Sequence, residues 1–536
     1  MFKNLNKNNI QFCLRHPFLI ITVFLGISAF LFSSLYLGYL KQDDNMINLL
    51  PDDIGSRKIF EDIQNDFELT EYMYIALGSE NEELFNWDNI EYTRMMLQDI
   101  FEITNKLESK GKTVDRVISI STIFSMDEND ELMAFFDPND GPLDDASIIK
   151  IEKFLNDNPI IKKRLISNDG KYANLIVVPL NNEIYVPLSD QIHEIANMKD
   201  YKQYKFHFGG QAYVTGAVPQ MVSEEVKILL GYGVLLMSLI LYFNIRNLKA
   251  VFLILLTILL SLGGMMGFMA WIHHFTGSND FYFTMMNTSM PIVLLTIANS
   301  DGVHVLSRFF KELRRLKKKE EAIISTMKNL ALPIFLTSIT TSMAFLMLIF
   351  SPVGAMLGYG VTLAFGIMWA WILSNTFLVS CIKLFNWDIN SKAISRPNYI
   401  ENLMKKFGKI VTKKPKKVLL TGSILVLLSI IGIFFIKVEV QYTEMFKKGN
   451  IIRDSAEFLD DKMMGNVNLI IRATISDSTN NTFTDPAILK EIEVIQNYLD
   501  NFENVTTTIS FIDIVKQTNK YHFNNNHNYY TIPETE

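Results

Sequence analysis

Seven long apolar runs divide the chain, at residues 18–40, 226–243, 250–271, 283–306, 330–350, 353–382 and 418–435. Each is long enough to cross the roughly 30 Å hydrocarbon core of a bilayer as a helix. The stretches between them alternate differently. Residues 72–77, 117–123, 172–179 and 204–208 are rich in β-branched and aromatic side chains and predict strands. Residues 90–107 and 143–154 carry apolar positions at helical spacing. Strand–helix alternation predicts βαβ-type units, packed as small sheets with helices on one face.

The first run follows Lys3, Lys7 and Arg15, as a signal peptide would. Its apolar stretch exceeds the roughly 7–15 residues of a signal core, and no A-x-A site follows, so it reads as an uncleaved anchor. Lysine and arginine then orient the spans. They crowd the N-terminus, the 244–249 loop, the 308–319 loop and the 384–417 linker, whereas 273–282 and 351–352 have none. With seven alternating spans all four basic segments fall on one side, which is therefore the cytoplasm. The domains expected are a cytoplasmic N-terminus and first span at 1–40, an extracytoplasmic α+β domain at 41–225 and a five-span module at 226–383. A basic linker at 384–417, a seventh span at 418–436 and a partial second α+β domain at 437–536 complete them.

The average composition, 49% hydrophobic and 20% charged, hides this segregation; the class is a polytopic α-helical membrane protein with α+β extracytoplasmic domains. The net charge of −7 says little as a sum. Cys13 and Cys381 sit in no metal or redox spacing, so neither a disulfide framework nor a metal site is expected. No Walker loop, nucleophile elbow or H-E-x-x-H occurs, which argues against an ATP-driven machine and against an enzyme.

The chemistry concentrates in the fourth run, Ile297-Ala298-Asn299-Ser300-Asp301-Gly302-Val303-His304. A carboxylate at the centre of a span costs roughly 2.5–3.5 kcal/mol on insertion scales, and its default reading is an ion or proton site. His304 lies three residues on, placing both on one helical face, and Asn299 and Ser300 lie at the same level. The competing reading is an Asp near the interface that snorkels or caps, since Arg308 is about 10 Å further along the axis. His304 could pass protons or simply pack. Thr337, Thr340 and Thr341 in the fifth run could line a path or make helix–helix contacts. Gly263-x-x-x-Gly267 and Gly354-x-x-x-Gly358 suit close helix packing. His273-His274 lacks a third ligand in view, and the 314–319 cluster reads as a topology determinant touching lipid headgroups, not nucleic acid.

The segment after the seventh run repeats the one after the first. Asp44-Asn45-Met46-Ile47-Asn48-Leu49-Leu50-Pro51, a helix and Tyr72-Met73-Tyr74-Ile75-Ala76-Leu77 correspond to Tyr442-Thr443-Glu444-Met445-Phe446, a helix through Leu459 and Asn468-Leu469-Ile470-Ile471-Arg472-Ala473. A helix and a strand follow in each, the strands at 117–121 and 505–510. The unit is one span, an outside domain and five spans; the second copy is incomplete, which reads as part of a longer protein because half a sheet would leave an unpaired edge.

This unit resembles the repeat of the RND superfamily of transporters. The nearer branch is the hydrophobe exporters related to the mycobacterial large membrane proteins and to Patched, and spans two to six also resemble the sterol-sensing domain. The resemblance rests on Asn299-Ser300-Asp301-Gly302-Val303-His304-Val305-Leu306-Ser307-Arg308-Phe309, on Leu336-Thr337-Ser338-Ile339-Thr340-Thr341-Ser342-Met343-Ala344-Phe345 and on Leu49-Leu50-Pro51. It implies a pump in the inner (plasma) membrane that exports a lipid or other hydrophobic substrate, driven by a proton gradient and needing no other cofactor. The relay would be Asp301, His304, Ser300 and Asn299, lined by Thr337, Thr340 and Thr341. The rivals are a non-transporting lipid or sterol sensor and an accessory subunit of protein export. Two departures stand out: Ala298 and Asn299 replace the usual glycines, and the tenth span, which supplies the partner groups, is absent. A homo-oligomer or a missing second half would supply them.

Overall fold

The computed structural model describes residues 2–43, 51, 54–67, 71–109, 113–126, 132–134, 143–181, 184–395, 399–436, 446–475, 482–502, 505–523 and 526–535. The Leu49-Leu50 pair and residues 442–445, on which part of the repeat rests, lie outside them. In chain order come α1 (Phe2–Arg15), α2 (Pro17–Tyr36), α3 (Gly55–Phe67), β1 (Met73–Gly78), α4 (Ile90–Ser109), β2 (Val114–Ile118), β3 (Phe124–Met126) and β4 (Leu132–Ala134). Next are α5 (Asp145–Asp157), α6 (Pro159–Leu165), β5 (Tyr172–Pro179), α7 (Tyr185–Ala196) and β6 (Lys205–Gly209). The long helices α8 (Gln211–Ile245), α9 (Leu248–Thr276), α10 (Met290–Leu316), α11 (Lys319–Leu346), α12 (Gly354–Asn375) and α13 (Phe377–Leu384) follow. Then come α14 (Lys392–Ser395), α15 (Tyr399–Lys413), α16 (Pro415–Ile433), α17 (Ile451–Lys462), α18 (Pro486–Asp500) and α19 (Phe511–His522).

Among the described residues seven helices are long and apolar enough to cross a membrane, and all seven fall on the expected runs. Several boundaries differ: α8 begins at Gln211 and α11 at Lys319, each some turns before its apolar run. The fourth span begins with a 3₁₀ turn at Met285–Ser289, and α10 starts only at Met290. The sixth run is broken at Thr376 between α12 and α13. There the Asn375 amide and the Thr376 hydroxyl donate to the carbonyls of Trp371 and Ile372, 2.8 and 2.6 Å away, a bonding pattern that bends helices.

The chain divides into two units, one of residues 1–58 and 218–438 and one of residues 59–217 and 439–536. In the first, α9 is the hub. With no side chain at Gly267, α2 lies so close that an added Cβ would strike the Leu31 carbonyl oxygen, and one at Gly263 would strike the Phe32 ring. Ser34 Oγ donates to the Gly267 carbonyl at 3.0 Å. Small residues thus let backbones meet where lipid offers no hydrophobic drive. The second pair works differently: Gly358 receives the Asp280 carbonyl of a 3₁₀ turn, not a helix.

The second unit holds a four-stranded sheet in the order β2-β5-β1-β6. Met73 pairs with Val177, Ile75 with Leu175 and Phe208, and Val117 with Val177, all antiparallel. This corrects the βαβ expectation, which requires parallel neighbours. Strand β5 is buried at all eight positions. Met96, Ile100, Ile103 and Leu107 of α4 are buried at helical spacing, at most 1% exposed.

The later segment completes this unit. Leu459 of α17 and Asn466 fill the space beside Gly209, and Asn466 Oδ1 accepts from the Gly210 amide at 2.9 Å. The Phe458 ring stacks on His207 of edge strand β6, centroids 3.8 Å apart. Further along, the buried Lys520 ammonium of α19 donates to the Asp157 carbonyl at 2.9 Å. The strands expected at 468–473 and 505–510 do not form; those residues run without a strand partner. Leu469 and Ile471 stand 84% and 57% exposed.

Two measurements test this packing. Gly267→Val forces a side chain onto the α2 backbone, an overpacking worth about 1–3 kcal/mol, and should lower the thermal midpoint of the detergent-purified protein by several degrees. Gly422→Ala in α16, where an added Cβ meets nothing within 4 Å, should leave it unchanged or slightly raised. In the second unit, burial pushes the Glu71 carboxyl, just before β1, from its ordinary 4.5 up to about 7. The folded unit then holds a proton the unfolded chain releases, so this contribution is full below pH about 4.5 and is lost as pH rises through about 7. Glu71→Gln should remove that fall, read as hydrogen-exchange protection of β1 against pH; an unchanged profile would refute it.

Candidate functional site

Helix α10 buries Ala298, Asp301, Gly302, Val305 and Phe309 on one stripe. The stripe works because of the residue after the carboxylate. A Cβ at Gly302 would come to 3.3 Å from Ile254 of α9, so glycine there lets α9 close beside Asp301. From the other side α11 presents Ser338, 3% exposed, whose hydroxyl lies 3.4 Å from Asp301 Oδ2 and donates to it. Asp301 itself is 7% exposed. It is a buried carboxylate between α9 and α11, with one long hydrogen bond from a side chain among the described residues.

The other expected residues distribute unevenly around it. Asn299 is half-buried, and its Oδ1 is buried without a hydrogen-bond partner among the described residues. Ser300 and His304 are exposed, and no hydrogen bond joins His304 to Asp301 among those residues. Three-residue spacing puts the two on neighbouring positions of α10, with Asp301 buried and His304 exposed. The threonines also face elsewhere. Thr337 and Thr340 are exposed and Thr341 is half-buried, and each bonds back into its own helix, to Ile334, Leu336 and Thr337 carbonyls at 2.8 Å.

The serines interleaved with them take the inner positions of α11. Ser338 reaches Asp301, and one turn on, Ser342 Oγ donates to the Ala364 carbonyl of α12 at 3.1 Å. Their spacing from Ala331 and Ile334 continues one helical stripe, a signal that was present in the sequence. Missed entirely was Glu312, about three turns beyond Asp301 and only 3% exposed. Arg308 and Arg315 approach it at 3.2 and 2.5 Å, and Ser325 Oγ donates to it at 3.0 Å. An acid flanked by arginines at i−4 and i+3 was the available clue. This cluster lies toward the basic end of α10 and continues the polar line that starts at Asp301.

His273 and His274 go to different partners. The His273 ring lies 3.0 Å from the Ser278 carbonyl, and His274 stacks on Tyr39 with centroids 3.8 Å apart. Among the described residues no group of three or more His, Cys, Asp or Glu side chains could hold a metal ion.

Chemically, the arrangement offers one ionisable group in the interior of a helix bundle, a hydroxyl that can follow its charge state, and an arginine–glutamate cluster further along the same helix. Comparison with known proteins agrees with the membrane architecture. A curated protein of Methanocaldococcus jannaschii, named only as a membrane protein, is 23% identical over 405 residues, covering 72% of this chain and 95% of that relative. A model of the MMPL family matches residues 49–418, from beyond the first span to the start of the last. With more than half of its length matched, the chain belongs to the MMPL family.

Proposed function

We propose that the protein is an exporter of a lipid or other hydrophobic molecule, driven by protons moving through the membrane unit. The observation that carries this reading is the buried Asp301 carboxylate between α9 and α11, with Ser338 as its hydrogen-bond donor. Intramembrane carboxylates that face a bundle interior commonly mark proton or ion paths. Family membership supports a transporter of hydrophobic substrates.

In this reading Asp301 takes a proton from the outside and releases it toward the cytoplasm. Protonation removes a charge from a dry site, and release restores it. Each state favours a different fit of α10 against α9 and α11, which makes the site a switch. A proton crossing the membrane potential supplies about 2.3 kcal/mol per 100 mV, enough to bias such a two-state element. Ser338 replaces the threonines as the group that follows the charge. The Arg308–Glu312–Arg315 cluster is the exit side of the path. The N-terminus and the basic loops are cytoplasmic, the protein sits in the inner membrane, and the second unit is a porter-type domain that guides the substrate.

Ser300, His304, Thr337 and Thr340 form exposed polar positions on neighbouring helices. Ser300 and His304 belong to the relay as the surface that a second set of spans covers, from a second repeat or a second copy of the chain, while Thr337 and Thr340 bond into their own helix.

The test is transport in proteoliposomes with an imposed proton gradient and a fluorescent phospholipid, comparing wild type with Asp301→Asn. Asp301→Asn should abolish flux while the monodisperse elution of the protein is kept. Ser338→Ala should slow flux several-fold without abolishing it, and Thr337→Val, which alters an outward side chain, should change it less. Equal flux in wild type and Asp301→Asn would make the carboxylate structural. Absence of gradient-dependent flux in the wild type with any lipid would leave a sensor as the better reading.

A further inference from the structure

Helix α15 has two chemically opposite sides, and its apolar side is exposed among the described residues. Leu403, Met404, Phe407, Ile410 and Val411 recur at spacings of one, three and four and share one face, a stripe about 120° wide at 100° per residue. Lys406, Lys409 and Lys413 lie on the other. The apolar side is not buried: Met404, Phe407, Ile410 and Val411 are 55, 53, 51 and 48% exposed. Helix α1 is also basic and precedes a span, yet it behaves differently. Its Ile10 and Cys13 are 4% and 0% exposed, tucked against α11 and α13.

What covers the apolar side follows from the helix next to it. One residue, Lys414, separates α15 from α16, which starts at Pro415 and has no buried residue. Leu419, Leu425, Leu427 and Ile431 of α16 are 54–70% exposed. Such a helix is stable only in hydrocarbon, so α15 begins at the very edge of the hydrocarbon. Between Leu403 and Lys417 stand seven lysines and no acidic residue. A basic helix with an apolar stripe at that position matches a surface that is apolar below and anionic at headgroup level.

We propose that α15 lies in the plane of the membrane surface and binds anionic phospholipid headgroups, with Phe407 and Ile410 inserted among the acyl chains. The lysines, on α15 and at the corner 414–417, make the anchoring depend on lipid charge. This surface is distinct from the Asp301 site and does not rest on the transport reading. Being tied to α16 by one residue, α15 would hold that otherwise uncontacted span at a fixed depth only where anionic lipid is present.

The experiment uses the full-length protein in nanodiscs with a cysteine introduced at one of two positions, Phe407→Cys or Lys406→Cys. The native Cys13 and Cys381 are buried and serve as a slow background. Reaction with a water-soluble maleimide is followed in discs of phosphatidylglycerol mixed with phosphatidylcholine, in phosphatidylcholine alone, and in detergent. In anionic discs position 407 should react about tenfold more slowly than position 406, a gap consistent with a few lysines at a charged surface. The gap should shrink in phosphatidylcholine, in high salt, and when Lys409, Lys413, Lys416 and Lys417 are changed to Gln. Equal rates at 406 and 407 in anionic discs would overturn the proposal, since the apolar face would then be in water. Protection of 407 that persists unchanged in detergent, in phosphatidylcholine and in the Gln variant would overturn it too, because protein or uncharged lipid would be the cover.

Discussion

Keeping a carboxylate inside a membrane helix is the constraint around which the membrane unit is arranged. Hydrocarbon gives Asp301 nothing to bond to, so the protein must supply both cover and a donor. The cover is α9, and it can close because position 302 is glycine: any larger residue would push on Ile254. The donor is Ser338 of α11. The glycines of α9 on its other side bring α2 to backbone contact, so the same helix that shields Asp301 is braced from behind. The carboxylate is therefore enclosed where α9, α10 and α11 meet.

The second unit solves a different problem. An open sheet exposes the backbone groups of its edge strands, and such edges invite pairing with other chains. Here the edge strand β6 is closed off by a segment more than 200 residues later in the chain. Phe458 stacks on His207, Leu459 packs beside Gly209, and Asn466 takes the Gly210 amide. The residues read as a second domain thus act, in the described structure, as the cap and outer layer of the first sheet. Residues 468–473 form no strand beside it.

The spans were legible because a run of about twenty apolar residues has few other uses. Pairing direction in the sheet was not, because it depends on contacts between residues such as Ile75, Leu175 and Phe208 that lie far apart in sequence. At the site, Asp301 announced itself by its cost. The helix phase did not: adjacent residues differ by about 100°, so Thr337 faces out while Ser338 faces in. The motif drew attention to the threonines, whereas the stripe Ala331, Ile334, Ser338, Ser342 carried the geometry. Glu312 was passed over because it sits in a charged stretch that looks solvated, although its neighbours Phe309 and Leu313 are core positions.

The exposed polar residues of α10 and α11 are not equivalent in what they demand. A threonine in a helix can donate to a carbonyl of the preceding turn, and Thr337, Thr340 and Thr341 all do so. Satisfied in this way, they are tolerable against lipid and carry little information about partners. Ser300 can do the same in principle. An imidazole cannot: its N–H and its ring nitrogen are too far from the backbone of its own helix to be satisfied together. His304, fourteen residues into α10 and exposed, is therefore the residue whose surroundings in the membrane must be polar.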